Sequence, residues 1–304
     1  MMLRPARLAM ALLLTTPAAA LAQPASSPAA SAAPAPPADL KLFPDSRVVT
    51  HERISVEITG KGPDIVMIPG LASSRETWRG TAERLRGRYR VHLVQVAGFG
   101  GEPARANASG PFFDPTLAEI DAYCATLKRP IVMGHSLGGT FGLALAQKRP
   151  EHLSKLLIVD SLPFYGVLMG GPNATVETVK PMAEAMTKPG GAGGFSPAQY
   201  RQMIAAMVTA PADVERVLGW GQRSDGRVVA QAMHDDMLAD LRPGLAAMKT
   251  PVTVIYETPI AAAVTTGYAP LTTKTLVPVA DAKHFIMYDQ PARFDAEVDA
   301  FLKR

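Results

Sequence analysis

Residues 134–138 read Gly-His-Ser-Leu-Gly, between the apolar run Ile131-Val132-Met133 and an Ala/Leu-rich stretch that stops at Pro150. A serine set between a strand and a helix, with glycine two positions away on each side, suits a nucleophile. The turn pushes its hydroxyl above the sheet, and neighbours without Cβ let the backbones pass. The start of the following helix also offers free N–H groups and a partial positive charge to a developing oxyanion. The chemistry implied is acyl transfer, with Ser136 attacking a carbonyl and the N–H of Leu137 as one oxyanion donor. Pro69-Gly70-Leu71-Ala72-Ser73 closes an earlier apolar run, Ile65–Ile68, and places the N–H of Leu71 as the second donor.

Such a serine needs a base. Of the six histidines, His284 follows the last strand and precedes the last helix, which fits the chain order serine, acid, histidine. His51 precedes the sheet core, His92 lies within a strand, and His135 points away beside the nucleophile. His152 begins a surface turn, and His234 falls in a helical insertion.

These residues need a scaffold, and the sequence spells one out. Val48-Val49 and Ile54–Ile58 alternate as a half-buried antiparallel pair would. Ile65–Ile68, Val91–Val96, Ile131–Met133, Leu156–Val159, Val252–Tyr256 and Thr275–Val279 are nearly unbroken apolar runs, the pattern of strands buried on both faces of a parallel sheet. Helical stretches alternate with them: Glu76–Leu85, Thr116–Leu127, a helix ending at Arg149, and Pro291–Leu302. The fold class expected is α/β, a mostly parallel sheet with helices on both faces. Residues 161–245 break the rhythm with Met- and Ala-rich helices and read as a cap or lid over the C-terminal strand edges, where ligands bind in such sheets.

With GHSLGG at 134–139, the PGLASS turn closing the strand in 65–74, and KHF at 283–285, the chain resembles the α/β-hydrolase superfamily from about Ile54 to Leu302. One departure is Pro69-Gly70, where many members have His-Gly. The resemblance implies a catalytic triad and hydrolysis of an ester, amide or related bond through an acyl-enzyme. In most members the acid lies just beyond the strand that here ends at Tyr256, and Glu257 is the only acid in that loop. In others it stands at the tip of the earlier strand, here Asp160. Asp160 is the favoured acid, with Glu257 as the alternative; a turn-capping role would equally place an aspartate at 160.

Composition narrows the field. Apolar residues make up 47% of the 304 and charged residues 19%, enough for a large core and too few charges for a disordered chain. The net charge of +4 is spread out. Arg84, Arg86, Arg88 and Arg90 come nearest to a basic patch and read as a solvated face, so no nucleic-acid partner is expected. Arg4 and Arg7, the apolar stretch Leu8–Leu14 and Ala20-Leu21-Ala22 form a secretory signal over residues 1–22, which predicts export to the periplasm or beyond and no membrane span after cleavage. An Ala/Pro-rich linker over 23–45 precedes a single hydrolase domain over 46–304. The single cysteine, Cys124, reads as a buried thiol on a helix. No metal or cofactor is expected, because His and Cys are sparse and no phosphate-binding glycine pattern follows a strand. The partner expected is a small-molecule substrate. A carboxylesterase-like reaction on a small or medium apolar ester leads, with Leu162, Phe164, Tyr165 and the insertion's methionines available for an acyl pocket. Amidase, perhydrolase or C–C hydrolase chemistry on the same scaffold, and a non-catalytic binding protein, are the alternatives.

Overall fold

The computed structural model describes residues 41–188 and 196–304. The signal over 1–22 and most of the linker lie outside the described residues. Eight strands form one sheet: β1 (Arg47–Thr50), β2 (Ile54–Gly60), β3 (Asp64–Ile68), β4 (Arg90–Val96), β5 (Ile131–His135), β6 (Lys155–Val159), β7 (Val252–Glu257) and β8 (Lys274–Val279). Their order is β1-β2-β4-β3-β5-β6-β7-β8, with β2 antiparallel to both neighbours and every other pair parallel. Three helices sit between the early strands: α1 (Arg79–Leu85), α2 (Phe113–Ala125) and α3 (Leu137–Lys148). Five more join β6 to β7: α4 (Gly166–Gly170), α5 (Val176–Met186), α6 (Pro197–Met207), α7 (Pro211–Gln222) and α8 (Gly226–Leu238). The chain finishes with α9 (Ala261–Gly267), α10 (Ile286–Asp289) and α11 (Pro291–Lys303).

The unbroken apolar runs have a plain cause. Alternate residues serve opposite faces, and both faces are covered. Val66, Ile68, Val132, Leu156 and Ile158 pack with α2 and α3, including Phe141 and Leu145. Ile65, Met67, Met133, Leu157 and Val159 pack on the other side with Trp78, Ala82, Phe294 and Val298. The four arginines of the supposed solvated face are each paired with an acid: Arg84 with Asp295 and Asp299, Arg86 with Asp45, Arg88 with Asp299 and Arg90 with Asp64.

One strand differs from its pattern. β2 alternates as if half-exposed, yet Ser55 and Glu57 are as buried as Ile54 and Val56. Residues at the end of the expected linker cover it. The Glu57 carboxylate accepts the N–H groups of Leu42 and Phe43 and the hydroxyl of Ser46, and Phe43 is packed against the core. Arg75, also buried, lies 3.7 Å from Glu57 and donates to Ser55 at 2.5 Å. A buried charge needs such partners, so the strand's polar side is an internal network and not a wet face.

The helical insertion rests on the loops at the C-terminal ends of the strands. Asp225 N donates to Gly98 O at 2.8 Å, the Ser224 hydroxyl receives Gly100 N at 2.9 Å, and Leu241 N donates to Pro163 O at 2.8 Å. Asp235 accepts the N–H groups of Phe112 and Phe113 at the start of α2. α8 therefore crosses from the loop after β4 toward the start of α2. Among the described residues no helix is long and apolar enough to cross a membrane.

Candidate active site

β5 and β6 run parallel with His135 beside Val159. The next residue of each strand, Ser136 and Asp160, thus stands at the same edge of the sheet. Ser136 N donates to Val159 O at 2.9 Å and Asp160 N to Ile255 O at 2.8 Å, which carries the ladder one step past the strand ends. Ser136 takes φ 53° and ψ −124°, a strained backbone for a residue with a side chain, and α3 begins at Leu137. The flanking glycines are steric necessities. A Cβ on Gly134 would stand 2.1 Å from Gly138 O, and one on Gly138 would stand 2.2 Å from Ile68 O.

The loop after β3 lies against this turn. A Cβ on Gly70 would be 3.0 Å from the Cβ of Ser136, so Leu71 follows directly beside the nucleophile, and Ala72 takes φ 52° to turn the chain away. Among the described residues neither Leu71 N–H nor Leu137 N–H donates to a protein acceptor. Two free backbone donors next to a serine hydroxyl are the composition of an oxyanion hole.

His284 stands in the loop between β8 and α10. Its Nδ1 lies 2.7 Å from Oδ2 of Asp160. The carboxylate accepts, so Nδ1 carries the proton and Nε2 keeps a lone pair, the tautomer a general base requires. The other Asp160 oxygen accepts the backbone N–H of Glu257 at 2.8 Å. The structure therefore brings Asp160 to His284. Glu257 contributes its main chain there, while burial and then the nearby Asp160 charge raise its own carboxyl above the usual range.

Of the six non-glycine residues with positive φ among the described residues, four are Ala72, Ser136, Asp160 and Asp281, one in each loop that meets here. Strain gathered at one place, and held by the sheet beneath, is the mark of a pre-organised site. Three other histidines are engaged elsewhere, His92 with Asp64 and Tyr123, His152 with Asp121 and His234 with Asp235, and His51 packs edge-on against Tyr123. Leu162 and Phe164 are buried in apolar clusters just beyond Asp160, with Tyr165 packed beside Phe164.

Three features escape the sequence reading. His135 does turn away from solvent, but its ring bonds to the His284 carbonyl at 3.0 Å. The His284 loop is also tied to the end of α6: Lys283 Nζ donates to Ala205 O at 2.6 Å and Phe285 N to Met207 O at 3.1 Å. In α8, Asp236 is buried with Oδ1 unpartnered among the described residues; burial raises its carboxyl to about 7, opposed by a bond from the Thr140 hydroxyl. Backbone acceptors leave no trace in sequence, which hides the first two. The adjacent acids Asp235 and Asp236 could have drawn attention to the third.

Comparison with known proteins agrees with this architecture. The model of the alpha/beta hydrolase family matches residues 65–297. A pimeloyl-[acyl-carrier protein] methyl ester esterase of Aeromonas salmonicida is 38% identical over 112 residues, 37% of this chain and 43% of that protein. The protein of the same name from Nitrosomonas europaea is 33% identical over 117 residues, 37% of this chain and 42% of that one. The chain thus spans less than half the length of these curated relatives. An enol-lactonase from Burkholderia xenovorans superposes with a TM-score of 0.69 over 83% of this chain and 96% of its own, at 20% identity, a likeness of fold.

Proposed function

Since the chain belongs to the alpha/beta hydrolase family, we propose that it is a serine esterase with Ser136, His284 and Asp160 as its triad. The observation that carries this reading is the 2.7 Å contact of His284 Nδ1 with Asp160, which follows the strand paired with the one that leads into Ser136 on its strained strand-to-helix turn. In the reaction proposed, His284 Nε2 takes the Ser136 proton as Oγ adds to the ester carbonyl. The N–H groups of Leu71 and Leu137 hold the oxyanion of the tetrahedral intermediate. Asp160 keeps the imidazole oriented and stabilises it once charged. His284 then gives the proton to the departing alkoxide, leaving an acyl-Ser136 ester and a free alcohol. Water, deprotonated by the same nitrogen, repeats the addition, releasing the acid and restoring Ser136.

The substrate proposed is a small or medium apolar ester. The relatives named as methyl ester esterases support a short alcohol part, and the apolar residues Leu162 and Phe164 beside Asp160 support an apolar acyl part. The helical insertion serves as its cap. Export belongs to this proposal too, on the strength of the basic, apolar and Ala-Leu-Ala segments in residues 1–22; amino-terminal sequencing of the protein from a periplasmic fraction checks it. For the activity itself, purified protein is assayed on a p-nitrophenyl ester series and with a fluorophosphonate probe, beside Ser136→Ala. Turnover and labelling that vanish in Ser136→Ala are the expected result. A folded wild type that neither hydrolyses any chain length nor takes the probe would overturn the esterase reading.

A further inference from the structure

His135 occupies the variable position of the Gly-His-Ser-Leu-Gly turn, where no chemistry is required of it. Its ring is fully buried, and a buried imidazole is an unusual choice for a space that an apolar residue could fill. One nitrogen explains the choice. Nε2 lies 3.0 Å from the carbonyl oxygen of His284, and a carbonyl can only accept, so Nε2 bears the proton. The other nitrogen, Nδ1, is buried without a partner. A proton there would be both desolvated and unbonded, so the ring is locked as the neutral Nε2–H tautomer. Burial, and then the nearness of His284, hold its pKa well below the ordinary histidine value. The two rings are 4.6 Å apart, and the His135 ring is 4.7 Å from Phe285.

Resting on the esterase reading above, we propose that His135 is a positioning residue that ties the general base to the nucleophile. It adjoins Ser136 in the chain and grips the main chain of His284, so one hydrogen bond links the turn that aims the serine to the loop that carries the base. Other ties of that loop run elsewhere: Lys283 N to Asp289, Lys283 Nζ to Ala205 and Val208, Phe285 N to Met207, and the His284 ring to Asp160. Because His135 stays neutral, it adds no second cation beside His284 when that ring becomes protonated during turnover.

The test compares His135→Phe, which keeps a ring but loses the donor, with His135→Gln, whose side-chain amide restores a donor near Nε2. On a p-nitrophenyl ester, His135→Phe is expected to lower kcat about 10- to 100-fold with KM within about twofold, because alignment and not binding is lost. Labelling by the fluorophosphonate slows by the same factor, and His135→Gln returns to within about fivefold of wild type. Equal kcat in His135→Phe and wild type, or a Gln variant as slow as the Phe variant, would overturn the inference while leaving the esterase intact. A wild type inert to ester and probe removes the esterase reading and this inference with it. Should His135→Phe not fold, ¹⁵N-histidine NMR of the wild type decides: a neutral Nε2–H ring from pH 5 to 8 supports the assignment, and an Nδ1–H tautomer or a titration in that range overturns it.

Discussion

The carboxylate of Asp160 accepts the backbone N–H of Glu257 at 2.8 Å, so the two acids that compete for one role by sequence stand in support of each other in space. Asp160 has both oxygens committed, one to His284 and one to Glu257, and its side chain is 2% exposed. The main-chain bond survives any change to the Glu257 side chain. Asp160→Asn is therefore expected to lower kcat by about 10³- to 10⁴-fold on a p-nitrophenyl ester, by the loss of the imidazole's tautomer and charge partner. Glu257→Gln should stay within about threefold of wild type. Steady-state kinetics of the pair check this, and a reversed order would assign the acid to Glu257.

The network over β2 makes a prediction about stability alone. Arg75 and Glu57 are 1% and 0% exposed, and Glu57 also holds Leu42, Phe43 and Ser46. Removing one charge strands the other in a dry place, which typically costs about 3–5 kcal/mol. Glu57→Gln is expected to lower the unfolding free energy by that amount, read as a fall in the urea midpoint at unchanged slope. Activity of the remaining folded fraction should be unchanged, since β4 and β3 stand between the strand of Glu57 and the strand that leads into Ser136. Equilibrium unfolding followed by circular dichroism measures the shift.

How much of this was legible follows from what each residue contacts. Ile65–Ile68 and Leu156–Val159 announce buried strands because both faces of the sheet are covered, and composition alone records that. The glycines at 134 and 138 announce the serine turn because no other residue fits beside Gly138 O and Ile68 O. His284 could be chosen by its place in the chain. By contrast, the alternation in β2 suggests a wet face, since what covers Ser55 and Glu57 comes from Leu42, Phe43 and Arg75, too distant in sequence for any local pattern to show. The choice between Asp160 and Glu257 depends on which side chain points at one ring, a matter of a single turn at φ 50°. The short helix α10, likewise, has too few residues for a period to appear.

Asp236 supplies a pH dependence. Its carboxyl is raised from 3.8 to about 7 by burial, so between those values the native protein binds a proton that the unfolded chain releases. Stability from this group is complete below about pH 4 and is lost as pH rises toward 7. Three units correspond to about 4 kcal/mol at most. Asp236→Asn, which cannot ionise, is expected to match or fall below wild type at pH 4 and to exceed it at pH 8. Thermal melts of both proteins across that range give the crossing point, and parallel curves would place the ionisation of Asp236 elsewhere.

The bonds from Lys283 and Phe285 to the end of α6 bear on how such a protein can be altered. The helical insertion and the loop that carries His284 share hydrogen bonds at Ala205 and Met207. An insertion grafted from a relative would arrive with different carbonyls at those points and leave residues 283–285 unanchored. On the proposed reading, exchanging the insertion and keeping His284 in register are consequently one engineering problem. The natural unit of exchange is the insertion together with residues 280–289, the loop after β8 and α10.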